Sequence, residues 1–365
     1  MTRPPPAEST LRRVLAGSAG LFRGDDYPDR LAEAAAGTQL PIATTRRIAV
    51  AGSRGGAGRT TVTALLARIY AAMRADAVAA VDNAPEGGTL GLRLGVPDAP
   101  PLDAVAARLE AGQPASVQQL AALLAVAGPP NLLVTGRRNP HAPTATNLRG
   151  AAARNTAGTA APAWTPAGPL ARNLSGGPVP AHAAASLLSR TVSRYCPVTV
   201  FDCGAGPAAP AARWALENSH LALFVTPAGT AAVADAVHYS AAWHLDPLLG
   251  SVPLLVLVVQ GTRDGAESAS RHAERLRRSG IAAAYLGYDR HLAAGTAVNP
   301  SLLSRRTRLE AVSLAAQVLS LAVSGTGPRR PAAAAAGAGA GCTGSAGFTA
   351  SAEFAGPAQA GRTPA

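Results

Sequence analysis

Gly52-Ser53-Arg54-Gly55-Gly56-Ala57-Gly58-Arg59-Thr60-Thr61 decides how the rest of the chain is read. It follows the apolar run Arg47–Ala51 and precedes Val62, Leu65, Leu66, Ile69 and Met73, which share one face at helical spacing. A glycine turn between strand and helix lets successive backbone N–H groups converge on an anion, and the helix N-terminus adds the positive end of its dipole. Hydroxyl residues at the helix start fit a phosphate-binding loop, with Thr60 placed to hold Mg²⁺. A dinucleotide-binding G-x-G-x-x-G turn would need a third glycine where Thr61 stands. A merely flexible turn leaves Thr60-Thr61 unexplained.

Outward from the loop, short apolar runs recur at Val78–Val81, Asn131–Thr135, Val198–Phe201, Leu221–Val225, Leu254–Val259 and Ala282–Leu286. Most are bounded by Gly, Pro or Asp and lack the alternation of half-exposed strands, so they read as buried strands. Helical patterns lie between several of them, as in Ala269–Gly280, which ends on Arg277-Arg278 before a glycine. Strand alternating with helix predicts a doubly wound α/β domain, with a mainly parallel sheet of about seven strands, helices on both faces and a ligand at the carboxyl ends of the strands.

The 365 residues include 33 Lys+Arg, all of them arginine, against 21 Asp+Glu, for a formal charge of +12. That balance favours an anionic partner such as nucleotide phosphates, nucleic acid or an acidic protein face. Three cysteines without CxxC spacing argue against a disulfide framework or a zinc site. With no apolar leader and no run long enough to span a bilayer, the chain is expected to be soluble and cytoplasmic. Residues 1–45 read as a polar, partly disordered leader, residues 46–323 as the nucleotide-binding domain and residues 324–365 as a disordered Ala/Gly/Pro tail. Inside the domain, residues 137–182 lack periodicity and read as a mobile insertion. Residues 131–200 carry seven arginines and no acid.

Arg54-Gly55-Gly56-Ala57-Gly58-Arg59-Thr60-Thr61 resembles the deviant Walker A motif of the MinD/ParA ATPases, KGGxGKTT, with both lysines replaced by arginine. Three further segments follow in that family's order. Val81-Asp82-Asn83-Ala84-Pro85-Glu86-Gly87-Gly88-Thr89-Leu90 resembles switch I, and Val200-Phe201-Asp202-Cys203-Gly204-Ala205-Gly206 resembles the Walker B-like strand with its switch II turn. Leu286-Gly287-Tyr288-Asp289-Arg290-His291-Leu292 resembles the "PYDxHL" segment of MinD-like ATPases of high-GC Gram-positive bacteria, some of them associated with type VII (ESX) secretion.

The resemblance implies a homodimer with ATP and Mg²⁺ held between subunits. Gly55, Gly56, Ala57, Gly58, Arg59, Thr60 and Thr61 would cradle phosphate. Thr60 and Asp202 would hold Mg²⁺, the latter through water, and Asp82 would be the first switch I aspartate. Arg54 would reach across the dimer, and Gln260 would lie where an asparagine commonly reads adenine. Arg59 brings a planar guanidinium where a compact ammonium bridges the β and γ phosphates. Ala84 replaces the aspartate that positions the attacking water. The site therefore reads as degenerate, with binding retained and hydrolysis weak.

The expected function is an ATP-dependent switch that positions or regulates a protein partner, in secretion or partition machinery. The alternatives are a non-catalytic scaffold and a ParA-like partition protein that binds DNA without sequence preference. For the last, Arg263, Arg271, Arg275, Arg277, Arg278, Arg305, Arg306 and Arg308 could form a DNA-binding face. They fit a solvated helix face equally well, being partly balanced by Asp264, Glu267, Glu274 and Glu310. The tail carries only Arg329 and Arg330 and no basic amphipathic helix, so no membrane anchor is expected.

Overall fold

β1 (Arg46–Gly52) lies between β5 (Val198–Ala205) and β6 (Leu221–Pro227), parallel to both. In a computed structural model, residues 26–52, 54–84, 88–136, 181–205, 209–263 and 267–325 are described. The remaining strands are β2 (Val78–Asp82), β3 (Ala125–Ala127), β4 (Leu132–Val134), β7 (Leu254–Val259) and β8 (Ala283–Leu286). The sheet order is β3-β4-β2-β5-β1-β6-β7-β8, and every neighbouring pair is parallel except β3 with β4.

Among the described residues eight strands form where about seven are expected. The additional one, β3, is a three-residue antiparallel edge strand with Val126 exposed, too short to produce a periodic signal. β5 also runs beyond the expected Phe201 to Ala205, carrying Asp202 inside the strand.

Nearly continuous apolar strands follow from burial on both faces. On β1, Ile48 and Val50 face one core while Ala49 and Ala51 face the other, as the alternation of a pleated strand requires. Against the first face pack α2 (Arg59–Met73), α3 (Leu90–Arg93) and α11 (Arg305–Ser324), burying Leu65, Leu66, Leu90 and Leu314. The second face carries α4 (Leu102–Ala111), α5 (Val117–Leu123), α6 (Ala181–Val192) and α7 (Pro210–Glu217). There Leu109, Leu188 and Leu216 close over Phe201. α8 (Thr230–Leu245) and α9 (Ala269–Arg278) cover β6 and β7 on the same side.

Part of the stretch read as leader is helical. α1 (Tyr27–Thr38) lays Leu31, Ala34 and Ala35 on the first core, and Gly37 sits so close to α11 that a Cβ there would lie 2.7 Å from Ala316 Cβ. The Arg305 guanidinium stacks over the Tyr27 ring at 4.2 Å. Residues 1–25 of the expected leader, residues 137–180 of the expected insertion and the tail from 326 lie outside the described residues. Ala181 and His182 already belong to α6. Among the described residues no helix is long and apolar enough to cross a membrane.

The segment that resembles "PYDxHL" is a structural knot. Asp289 Oδ1 accepts from the backbone N–H of His291 at 2.9 Å, capping α10 (Arg290–Ala293), and its Oδ2 accepts from Ser304 at the start of α11. His291 Nε2 accepts from the Asn299 N–H at 2.9 Å.

At the opposite end of β1, His220 Nδ1 accepts from the Arg47 backbone N–H at 3.0 Å. Burial, helped by the charges of Arg47 and Arg46, pushes the imidazole down to about 4. Unfolding lets it bind a proton near its ordinary pKa of about 6.5, so its contribution is complete above that pH and disappears as the pH falls toward 4. The chain should lose up to about 3 kcal/mol over that window from this group. In His220→Asn, whose amide oxygen can still accept the bond, that part of the loss should vanish. Parallel unfolding profiles for the two proteins between pH 7 and 4 would refute the assignment.

Candidate functional site

The loop between β1 and α2 lies at the carboxyl edge of the sheet, where the chain turns away from β1 between two neighbouring strands. Gly56 and Gly58 take φ of +74° and +91°, left-handed conformations that only glycine adopts without strain, and Gly58 is the N-cap of α2. Gly55 and Gly56 are exposed and open on all sides. Ala57 is buried, its methyl in the first core, so only its backbone is free to meet a ligand. Thr60 and Thr61 form the first turn of α2 and stay partly accessible.

Two strand aspartates meet beside this loop. Asp82 on β2 is in register with Asp202 on β5, which is itself in register with Val50 on β1. The Asp202 side chain is wholly buried. One oxygen accepts from the Gly204 N–H at 3.2 Å, and Oδ2 has no hydrogen-bond partner. Burial drives its pKa up, opposed by the Thr60 hydroxyl, the Gly204 N–H and the Arg59 charge. A desolvated carboxylate oxygen facing a threonine hydroxyl at a phosphate-type loop is the donor set of a hard cation. Among the described residues no group of three or more His, Cys, Asp or Glu side chains forms a metal site. The oxygen donors of Asp202 and Thr60 are of the type Mg²⁺ takes from protein.

Asp82 is buried and engaged. Its oxygens accept from the N–H groups of Ala84 at 3.3 Å and Leu90 at 3.2 Å, while its own N–H donates to Thr135 Oγ1. Gly88 closes over it so tightly that a Cβ there would stand 1.8 Å from Asp82 Oδ1.

Both arginines of the loop are held by their own chain. Arg59 Nη1 donates to the Arg54 carbonyl, and its Nε is buried without a partner. Burial lowers the guanidinium pKa, opposed mainly by Asp202. Arg54 grips Asp235 of α8 through Nε, at 2.9 Å, and Nη2. Gln260 ends β7 with its amide in use: Oε1 accepts from the Ala269 N–H at 2.8 Å, capping α9, and Nε2 donates to the Thr262 carbonyl.

Three residues outside the sequence-derived set belong here. Asp235 holds Arg54. Thr135 fixes the end of β2. Buried Asn83 donates from Nδ2 to the Ala211 carbonyl at 2.8 Å, tying the end of β2 to the first turn of α7, while its Oδ1 has no partner. Only Asn83, an amide directly after a strand-ending aspartate, left any sequence signal.

The arginines read as a DNA face are largely neutralised or tethered. Arg275 pairs with Glu267, Arg277 and Arg278 with Glu274, and Arg306 with Glu310. Arg308 donates to the Ser301 carbonyl, and Arg263 and Arg271 are exposed.

A ParA family ATPase from Chlorobium tepidum superposes over 74% of this chain and 98% of its own, with a TM-score of 0.52 at 15% identity. The chain has the ParA/MinD-type P-loop fold. The cell-division ATPase MinD of Pyrococcus furiosus is similar over 75% of this chain and 98% of its own (TM-score 0.47, 18% identity). MinD of Pyrococcus horikoshii, solved with Mg-ADP, is similar over 77% and 99% (TM-score 0.47, 16% identity). No family model matches the chain, and no curated protein matches it in sequence.

Within this ParA-like fold, Gly88 and Gly55 should respond oppositely to a methyl group. Gly88→Ala forces the Asp82 carboxylate or its own backbone to move and should cost about 1–3 kcal/mol. Gly55→Ala meets open space and should stay within about 0.5 kcal/mol of wild type. Equal midpoints in urea for the two variants would contradict the close packing at Asp82.

Proposed function

We propose that the chain binds ATP with Mg²⁺ at the β1–α2 loop and works as a nucleotide-dependent dimeric switch that positions or regulates a protein partner, with slow hydrolysis. The carrying observation is the Asp202 carboxylate on β5, buried with one oxygen unpaired beside Thr60. A carboxylate oxygen buried without a hydrogen-bond partner raises the cost of holding charge there. Such a cost is retained where a bound cation repays it. Gly55, Gly56 and Gly58 present backbone N–H groups to phosphate, and the start of α2 adds its dipole.

Bound Mg²⁺ would neutralise charge on the β and γ phosphates, with Thr60 as a direct ligand and Asp202 acting through water. Arg59 keeps a positive charge at the loop but must leave the Arg54 carbonyl to reach phosphate, and its planar fork fits the γ position less well than an ammonium. Ala84 offers no carboxylate to orient a water. Loss of one preorganised donor costs about 10²–10³ in rate, and two separate losses can compound. Gly88 and the bonds from Ala84 and Leu90 hold Asp82 ready to sense what occupies the loop. Partition or secretion machinery supplies the expected partner. Glu267 and Glu274 offset two of the four arginine charges of α9.

Two measurements test this. ATP with Mg²⁺ should raise the melting temperature of the wild type, because ligand binds only the folded state. Asp202→Asn should melt higher than wild type without ligand, since it removes a desolvated charge, and should lose the Mg²⁺-dependent increment. An increment that survives the substitution would remove Asp202 from the metal. In a phosphate-release assay, wild type should be slow, and Arg59→Lys with Ala84→Asp should gain at least tenfold. Fast wild-type turnover would sink the degenerate-site reading, and absence of ATP binding would leave a scaffold.

A further inference from the structure

Arg68 on α2 and Arg93 at the end of α3 are half-buried, and among the described residues neither meets a carboxylate. Arg74 and Arg213, by contrast, each grip an aspartate. Burial pushes the Arg68 and Arg93 guanidinium pKa values down, with no acid among the described residues to oppose it. Asp98, exposed on the loop after α3, offsets neither.

The two side chains frame one small surface. Arg68 Nη2 donates to the Leu94 carbonyl at 2.8 Å, and Nη1 donates to the Gly128 carbonyl in the β3–β4 turn. Arg93 Nη1 donates to the Thr296 carbonyl at 3.2 Å. Gly95 lies between the Arg68 guanidinium and the loop after α10. A Cβ there would stand 3.7 Å from Arg68 Nη2 and 3.8 Å from the Ala297 methyl. Arg68 Nε and Thr296 Oγ1 are buried without hydrogen-bond partners. Leu92, the neighbour of Arg93, is 57% exposed.

We propose that this surface docks an acidic segment of a protein partner, with carboxylates on Arg68 and Arg93 and an apolar side chain against Leu92. The proposal rests on the reading of the chain as a partner-regulating switch and names the surface and the chemistry of that partner. Three observations choose this occupant.

The first is unpaired charge. Holding the carbonyls of Leu94, Gly128 and Thr296 needs only N–H donors, which a neutral amide supplies without desolvating a cation. A guanidinium has a planar fork of five N–H groups that matches a carboxylate, and Arg68 uses two of them here and Arg93 one. On a chain of net charge +12, an incoming carboxylate also relieves repulsion.

The second is the apolar neighbour. A nucleic-acid backbone or a free phosphate would meet the two arginines and leave Leu92 bare. An acidic peptide covers both, and arginine beside an apolar anchor is the composition of a protein-binding patch.

The third is the link to the candidate nucleotide site. α3 is a single turn whose first N–H, from Leu90, donates to Asp82 Oδ2 at 3.2 Å, while Leu92 and Arg93 form its far end. The Arg93 carbonyl accepts from the Val298 N–H at 2.7 Å, which binds the same turn to the loop after α10. The surface and the site thus share one short element.

The test titrates the full chain against a fluorescein-labelled octapeptide of alternating Glu and Leu at low ionic strength, read by anisotropy. Wild type should bind it, and should bind the same peptide with Ser in place of Leu about tenfold more weakly. Arg93→Gln and Arg68→Gln/Arg93→Gln keep an amide for the carbonyls and should each lose about tenfold or more. Leu92→Ser should lose about fivefold. All three variants should keep the melting increment given by ATP–Mg²⁺. Arg275→Ala/Arg278→Ala, on α9, should bind the peptide as wild type does. Saturating ATP–Mg²⁺ should change the peptide affinity of wild type by about threefold or more.

Absence of peptide binding, or equal affinity in wild type, Arg93→Gln and Leu92→Ser, would overturn the proposal whatever the nucleotide does. Binding of a short DNA duplex that is lost in Arg68→Gln/Arg93→Gln and indifferent to Leu92→Ser would mark a nucleic-acid site and overturn it too. Peptide binding that falls in the variants but ignores ATP–Mg²⁺ would uphold the surface and defeat the switch reading.

Discussion

The end of β1 is walled in on both sides. β5 runs parallel along one edge and β6 along the other, and a Cβ on Gly52 would stand 2.4 Å from the Val225 carbonyl oxygen. No larger residue fits there, so the chain must leave the sheet through a glycine turn and enter α2 at once. That exit fixes the phosphate-type loop, the position of Thr60 in the first turn of α2 and the distance to Asp202 on the neighbouring strand. Asp82 follows because β2 pairs with β5 on its far side, in register with Asp202. The site is thus a consequence of strand order, with three consecutive parallel strands delivering a loop and two carboxylates to one edge.

The two arginines set the internal contacts of the loop. A guanidinium has five donors in a planar fork and finds backbone or carboxylate acceptors readily, whereas an ammonium remains a point charge. Here Arg59 donates to the Arg54 carbonyl and Arg54 to Asp235, so both guanidinium groups are engaged within the chain. α8 is tied at both ends, to the loop through Asp235 and to α7 through Asp246, which Arg213 clasps. Arg213 and the α8 exit hold the Asp246 carboxyl down at about 2. Two ion pairs thus join the phosphate-type loop, α8 and α7.

Most of the architecture was readable without coordinates, because buried parallel strands are continuous apolar runs and their glycine, proline and aspartate boundaries are explicit. β3 escaped because three residues carry no period, and its place at an edge follows from pairing with β4 alone. Helix α1 escaped because alanines and charges interleave along it, and it is held by Gly37 against Ala316 and Tyr27 beneath Arg305, contacts with a helix almost three hundred residues away in sequence. Gln260 was legible as a polar residue at a strand end. That its amide caps α9 depends on where the following loop returns.

The sequence by itself determined the loop, the succession of strands and helices along the chain and the two aspartates that follow apolar runs, since each is set by local steric and periodic rules. Only the tertiary structure decided which groups are already bound. Arg54 meets an aspartate 181 residues away, Asn83 reaches the first turn of α7, and Asp202 is left with one buried oxygen unpaired. Pairing and desolvation depend on what the folded chain brings within 3 Å, and no spacing along the sequence encodes that distance.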